Sequence, residues 1–203
     1  MIEWSLEAFR ASEAVGSIVV AAPPGNEPDL GADVQVVAGG ASRAQSVANA
    51  LAAAETELVA IHDAARPLLT PESIDELVEM LGDDADATGA IVATPVTDTV
   101  KQSNRAFLLQ GDKKAQFEVE RTLDRSQLWA AQTPQVFRTE ALRAAVGVDE
   151  ATRDAATDEA MLVEAAGGKV LIYPTPAENL KVTTPLDLRL AELLLAERRS
   201  IPG

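Results

Sequence analysis

The amino-acid sequence predicts an α/β fold: an open, mostly parallel sheet with helices on both faces, and a β-arm that projects from it. Short apolar runs of strand length alternate along the chain with longer segments of helical periodicity. That alternation is typical of sheets built from strand–helix–strand units. Residues 98–125 interrupt it with short strand-like runs and turn residues, so we expect them to form the arm.

The individual elements follow from local signals. An amphipathic helix is predicted over residues 2–12, and a second begins at Ser42, because serine is a favourable N-cap. Thr70 and Pro71 open a third helix, since proline fits the first helical turn. Apolar runs of strand length lie at 17–22, 33–38, 57–62 and 89–96. After the arm, helices are predicted near 139–148, near 157–166 and from Pro185 to about Arg199, with strands at 169–174 and 179–183.

The composition is that of a globular protein and excludes several classes of function. The chain has no cysteine, which excludes disulfides, thiolate zinc sites and a cysteine nucleophile. Its net charge of −15 argues against nucleic-acid binding, which needs a basic surface. A small anionic substrate remains compatible with that charge, because local cations can govern a pocket. Without a signal peptide or an apolar run of membrane-spanning length, we expect a cytoplasmic protein that binds no membrane.

Polar residues follow the carboxyl ends of the predicted strands, where open parallel sheets bind their ligands. GGASRAQS follows the second strand, and its two glycines let the backbone approach a ligand, although such a pair is more often only a turn. HDAARP follows the third strand. His62 there is better explained as a structural hydrogen-bonding residue than as a base. Asp63 and Arg66 either pair with each other or face a ligand.

Further candidates lie later in the chain, each with a simpler explanation beside the functional one. Thr99 follows the fourth strand and is also placed to begin the arm. Thr157 and Asp158 have the pattern of a helix cap. Lys181 lies between two apolar residues, and its side chain either reaches outward to solvent or points into a site. Because all these segments share one edge of the predicted sheet, together they indicate a binding site.

The polar segments resemble the 2-C-methyl-D-erythritol 4-phosphate cytidylyltransferases of the non-mevalonate isoprenoid pathway. The matching stretches, in chain order, are GGASRAQSV, VAIHDAARP, PVTDTVK, TLDRSQLWAAQTPQVF, TDEA and ENLKVTTPLDL. Their order and spacing agree along essentially the whole chain. The resemblance implies a single nucleotidyltransferase-like domain over residues 1–203, with a Rossmann-like sheet.

The same resemblance implies transfer of CMP from CTP to methylerythritol phosphate, with release of pyrophosphate and with Mg²⁺ held mainly by the CTP phosphates. It assigns the nucleotide contacts to Gly39, Gly40, Ser46, Asp63 and Ala64. It assigns the contacts with the second substrate to Asp63, Arg66, Thr99, Arg125, Thr133, Thr157 and Lys181. Lys181, at the α-phosphate, and Arg125, on the substrate phosphate, are the implied catalytic residues, because phosphoryl transfer needs cations on developing charge.

The resemblance further implies a homodimer in which the arm is exchanged between subunits. Thr99 and Arg125 would then reach the partner's site. The attacking phosphate oxygen is already ionised at neutral pH, so the reaction needs neither a histidine base nor a covalent nucleophile. With this chemistry, Asp63 and Arg66 are better explained as facing the substrate than as an ion pair.

The chain departs from the family pattern at one point. The family opens with a central strand and a glycine-rich loop, A-A-G-x-G-x-R, followed by a P-K pair, and no stretch of this sequence matches them. We expect two neighbouring strands to have unpaired edges in consequence. Either the true start lies upstream or the chain is a short form. Besides an active cytidylyltransferase, the sequence therefore leaves open a catalytically silent nucleotide-binding or dimer-partner module, and a sister nucleotidyltransferase with another acceptor.

Overall fold

The computed structural model describes residues 1–108 and 115–200. Its strands are β1 (Ile18–Ala22), β2 (Val34–Ala38), β3 (Leu58–Ile61), β4 (Ala87–Pro95), β5 (Lys101–Leu108), β6 (Ala115–Thr122), β7 (Trp129–Arg138) and β8 (Lys169–Pro174). Its helices are α1 (Ile2–Ala11), α2 (Arg43–Leu51), α3 (Pro71–Asp83), α4 (Thr139–Val146), α5 (Glu150–Ala155), α6 (Glu159–Ala165) and α7 (Pro185–Ser200). Residues 109–114 of the predicted arm lie outside the described residues.

The described strands form three sheets. β1 and β2 are a parallel pair, β5 and β6 are an antiparallel pair, and the other strands form a four-stranded sheet in the order β3-β7-β4-β8. Within that sheet β7 is antiparallel to both of its neighbours, whereas β4 and β8 are parallel. The predicted α/β class is therefore confirmed, and the four-stranded sheet is mixed.

Helices cover both faces of the four-stranded sheet, as predicted. On β4 and β7, successive side chains point to opposite faces, as strand geometry requires. Ile91 and Phe137 pack with residues of α4 and α6, whereas Val92 and Val136 pack with residues of α3. The Phe137 side chain is 0% exposed. The centre of this sheet is thus a closed apolar core.

The strand β7 was not predicted from the sequence. Its residues were expected to be the return from the arm, and Pro134 within them argues against a central strand, because proline cannot donate a ladder hydrogen bond. The structure accommodates the proline through a shift of register: Ile91 pairs with Gln135, but Ala93 pairs with Ala131. The strand continues past this irregularity and becomes an inner strand of the sheet.

The prediction of a strand at residues 179–183 is wrong. The segment is an irregular loop, and its backbone bonds to the loop after β3 instead of to a neighbouring strand. The Val182 N–H donates to the Ala65 carbonyl at 2.8 Å. The Arg66 Nη1 donates to the Asn179 carbonyl at 2.7 Å. These contacts hold the segment beside the carboxyl end of β3.

The predicted helix starts at Ser42 and Thr70 are confirmed. The Ser42 side chain accepts a hydrogen bond from the Gln45 N–H, and the Thr70 side chain accepts one from the Ser73 N–H. The short helix α5 was not predicted. No helix in the described ranges is both long and apolar enough to cross a membrane.

An apolar cavity of about 610 Å³ lies between β1 and β3, which are not paired with each other. Residues of α1, α2 and α3 also line it. Its lining includes Leu6, Val19, Ala21, Val47, Leu58 and Ala60. Two strand edges thus face each other across an apolar space, in agreement with the unpaired edges expected from the sequence.

Candidate active site

Asp63 lies at the centre of a group of charged side chains just beyond the end of β3. Its Oδ1 accepts a hydrogen bond from Arg43 Nε at 3.2 Å, and its Oδ2 accepts one from Lys181 Nζ at 2.8 Å. Arg43 is the first residue of α2, whereas Lys181 lies in the loop before α7. Three segments that are distant in sequence therefore meet at one carboxylate.

The electrostatics of this group keep Asp63 ionised. Burial alone would raise the pKa of Asp63, but the hydrogen bond from Lys181 and the charge of Arg43 outweigh it, so the pKa lies below its ordinary value. In the described part of the chain, Asp63 forms its ion pairs with these two cations and not with Arg66. The local Asp63–Arg66 ion pair, one of the two sequence-based alternatives, is not formed.

Arg43 is held on its other side by Glu159, the first residue of α6. Its Nη1 and Nη2 donate to Oε1 and Oε2 of Glu159 at 2.7 and 2.9 Å, which is a bidentate pair. Burial lowers the pKa of Arg43, but the hydrogen bonds to Glu159 outweigh that effect and the pKa is raised. Arg43 is therefore a permanent cation between two carboxylates.

His62 connects β3 to β7. Its Nε2 lies 3.1 Å from the Arg66 carbonyl oxygen, which can only accept, so Nε2 carries the proton. Nδ1 then accepts from the Thr133 hydroxyl at 3.0 Å, and the same hydroxyl accepts from the Asp63 N–H at 3.0 Å. Burial lowers the pKa of His62 to about 4, so the ring is neutral at neutral pH. These contacts agree with a structural role.

The glycine segment forms a tight turn between β2 and α2. The Gly39 N–H donates to the Ala22 carbonyl at 2.7 Å, and the Gly40 N–H donates to Ser46 Oγ at 3.0 Å. A Cβ added to Gly40 would lie 2.1 Å from Cγ of Gln45, too close for any larger residue to fit without rearrangement. The turn thus places backbone groups and the Ser46 hydroxyl at the N-terminus of α2.

Most of the residues predicted for the site lie beyond the carboxyl ends of β2 and β3 or in the first turn of α2. Thr133 lies within β7, between the residues where its register shifts, and Lys181 lies in the loop before α7. The full group is Gly39, Gly40, Ser46, Asp63, Ala64, Arg66, Thr133 and Lys181. Ala64 is exposed in the turn closed by the hydrogen bond from the Arg66 N–H to the Asp63 carbonyl, at 2.9 Å. Thr157 is exposed next to Asp158, whose Oδ2 accepts from Gln135 Nε2 at 2.9 Å.

Two predicted residues lie apart from this group at the base of the arm. Thr99 is exposed in the connection between β4 and β5. Arg125 lies in a short 3₁₀ turn after β6, and its Nη1 donates to the Thr97 carbonyl. Within the described chain, neither forms a hydrogen bond with Asp63 or Lys181.

Arg43 and Glu159 received no role from the sequence, although both lie within quoted segments, GGASRAQS and TDEA. The two residues are 116 positions apart, and no spacing rule relates them. The available signal was weaker: each is a charged residue at the start of a helix that follows a predicted ligand-binding segment.

The charged group around Asp63 was also examined as a possible metal site. Across residues 1–108 and 115–200, no group of three or more histidine, aspartate and glutamate side chains is arranged to hold a metal ion. Both oxygens of Asp63 already accept hydrogen bonds from cations.

Comparison with known proteins gives consistent matches. The family model of 2-C-methyl-D-erythritol 4-phosphate cytidylyltransferase (IspD) matches residues 1–197. The protein of that name from Bordetella petrii is 40% identical, with 95% of this chain and 84% of that protein covered. The one from Frankia casuarinae is 43% identical, with 97% and 70% covered. The crystal structure of the Thermus thermophilus protein superposes with a TM-score of 0.79 at 34% identity, covering 96% of this chain and 88% of that one.

Proposed function

Since the chain belongs to the 2-C-methyl-D-erythritol 4-phosphate cytidylyltransferase family, we propose that it transfers CMP from CTP to 2-C-methyl-D-erythritol 4-phosphate and releases pyrophosphate. The family match over residues 1–197 carries this proposal. The charged group around Asp63 supports it, because it provides the cations that such a transfer needs. The comparisons give no support to the catalytically silent alternative.

The chemistry asks the protein for position and charge. A phosphate oxygen of the acceptor attacks the α-phosphorus of CTP, a new P–O bond forms, and the bond to pyrophosphate breaks in line. We assign Lys181 to the charge that develops at the α-phosphate. Asp63 holds the ammonium group of this lysine at 2.8 Å. Arg66 and the threonines Thr133 and Thr157 are assigned to the acceptor.

The nucleotide is assigned to the turn after β2 and the turn after β3. Gly39, Gly40 and Ser46 would contact the cytosine, and Asp63 and Ala64 the ribose. Mg²⁺ would arrive with the triphosphate, where it neutralises phosphate charge and stabilises the departing pyrophosphate. The structure supports this assignment through an ion pair between the two turns: Arg43, which follows the first turn, pairs with Asp63 in the second.

Pyrophosphate release tests the proposal. The chain is incubated with CTP, Mg²⁺ and the acceptor, and a sample without acceptor serves as the blank. We expect Lys181→Ala to lower kcat at least about tenfold. Lys169→Ala is the matched control, because Lys169 forms a similar lysine–aspartate pair with Asp84 at 2.5 Å on an exposed surface. No release by the wild-type chain would contradict the proposed function, and an unchanged kcat in Lys181→Ala would contradict the role of that lysine.

We also propose that the protein is a cytoplasmic homodimer joined through its arm. The β5–β6 pair exposes Phe117 and Val119, which lie two residues apart on β6. In such a dimer Thr99 and Arg125 would reach the partner's site. Arg125→Ala should then raise the KM for the acceptor about tenfold while leaving that for CTP unchanged. Equal changes in both KM values, or a monomer in sedimentation, would count against the arm's role.

A further inference from the structure

Glu159 is a buried carboxylate that the proposed chemistry does not use. The residue is 2% exposed and opens α6, directly after the capping residue Asp158. A carboxylate at a helix N-terminus gains from the helix dipole. Burying an ion is nevertheless costly unless it is paired, and both oxygens of Glu159 are paired with Arg43.

This pair determines where the rest of the Arg43 guanidinium points. The group is planar and rigid, so fixing Nη1 and Nη2 also fixes the direction of Nε. Nε donates to Oδ1 of Asp63 at 3.2 Å, and the other oxygen of Asp63 accepts from Lys181 at 2.8 Å. The four side chains form a line of alternating charge from α6 to Lys181.

We propose that Glu159 and Arg43 are positioning residues: acting through Asp63, they hold the ammonium group of Lys181 where the reacting phosphate binds. This inference rests on the proposed function, which gives Lys181 its role. Glu159 does not touch the substrate, because its side chain is 3% exposed and lies behind Arg43. Loss of the pair therefore reduces turnover more than nucleotide affinity, because Gly39, Gly40 and Ser46 are assigned to the nucleotide as well as Asp63.

A purely structural role is the competing explanation, because the pair also joins α2 to α6. The chain offers a matched control for it. Ser42, at the start of α2, donates to Oδ1 of Asp154 in α5 at 2.8 Å. Asp154→Ala removes this neighbouring link between α2 and a later helix without touching the line of charges.

The first experiment observes Lys181 directly and needs no turnover. The ammonium resonance of Lys181 is recorded by ¹⁵N NMR in the wild-type chain, in Glu159→Gln and in Asp154→Ala. We expect the Lys181 signal to shift or broaden in Glu159→Gln and to stay in place in Asp154→Ala. An unchanged Lys181 signal in Glu159→Gln would overturn the proposal. If Glu159→Gln does not fold, Arg43→Lys takes its place, because lysine keeps the positive charge but cannot form the bidentate pair with Glu159.

The second experiment measures pyrophosphate release. Glu159→Gln should lower kcat about tenfold with the KM for CTP within about twofold of the wild type. Combined with Asp63→Asn, it should cost no more than the larger single change, because both act through one carboxylate. Unchanged kcat, or fully additive losses, would overturn the positioning role. If the wild-type chain releases no pyrophosphate, the proposed function fails, and the Lys181 signal decides the positioning inference alone.

Discussion

The four-stranded sheet and the β1–β2 pair are built from similar apolar strands but differ in how completely they are buried. In β4 the run from Ala90 to Ala93 is at most 6% exposed, whereas in β1 Ala22 is the one fully buried residue. β7 and β4 each pair with a neighbouring strand on both sides, whereas β1 and β3 face each other across the cavity without pairing. The first region is a closed core, and the second is open on one side.

The charged group lies at the junction of these two regions. Arg43 follows β2 of the open region, and Asp63 follows β3 at the border of the closed one. Their ion pair, and the bidentate pair between Arg43 and Glu159, cross from one region to the other. The site is therefore assembled on a rigid sheet on one side and on a less well supported pair of strands on the other.

The sharpest test of this difference compares one large residue from each region. Phe137→Ala should lower the free energy of unfolding by about 3–5 kcal/mol, because the ring is fully buried between β4 and α4. Val20→Ala, at a half-buried position in β1 beside the cavity, should cost only about 1 kcal/mol. Urea denaturation measures both, and equal losses would show that the open region contributes as much to stability as the core does.

The closed region also shows where prediction from the sequence succeeded and where it failed. β4 and β8 were predicted because each is a continuous apolar run, and α3 because Thr70 and Pro71 form a local start signal. β7 was not predicted, since its pairing partners lie far away in the chain and Pro134 interrupts its pattern. The register shift that admits this proline depends on β4 and has no signal within β7 itself.

Prediction of the candidate site also succeeded for local patterns and failed for contacts between distant segments. Asp63, Arg66 and Lys181 were predicted from the residue order of their segments, and the structure brings Asp63 and Lys181 together. Arg43 and Glu159 were not, because their importance comes from a contact between α2 and α6 that only the folded chain creates. Local patterns thus identified the loops of the site but not the ion pairs that join them.

The second prediction concerns His62, at the border of the two regions. Its ring packs edge-on against the ring of Phe9 in α1, with the two ring centroids 5.7 Å apart. Burial lowers the pKa of His62 from 6.5 to about 4. The unfolded chain therefore takes up the proton first, and the folded state loses stability as the pH falls from about 6.5 to about 4. The loss is up to about 3 kcal/mol, and it is absent above that window.

His62→Gln is the control for this pH dependence. His62 is the chain's only histidine, so the variant should be nearly insensitive to pH between about 6.5 and 5. The carboxyl of Asp63 has a lowered pKa, and its contribution to stability is lost only at more acidic pH. If the wild-type chain and His62→Gln show the same slope in that upper window, the histidine is not held neutral at the border.

The smallest effect comes from adding the same two carbon atoms to each region. Ala21→Val places a larger side chain on β1 beside the apolar cavity and should stabilise the fold by up to about 1 kcal/mol. Ala90→Val places it on β4, where the alanine is 0% exposed, and should destabilise the fold by about 1–3 kcal/mol through overpacking. Thermal unfolding of both variants measures the two signs side by side. Destabilisation by Ala21→Val would show that the space beside β1 does not accept apolar volume, and the contrast between an open and a closed region would then fail.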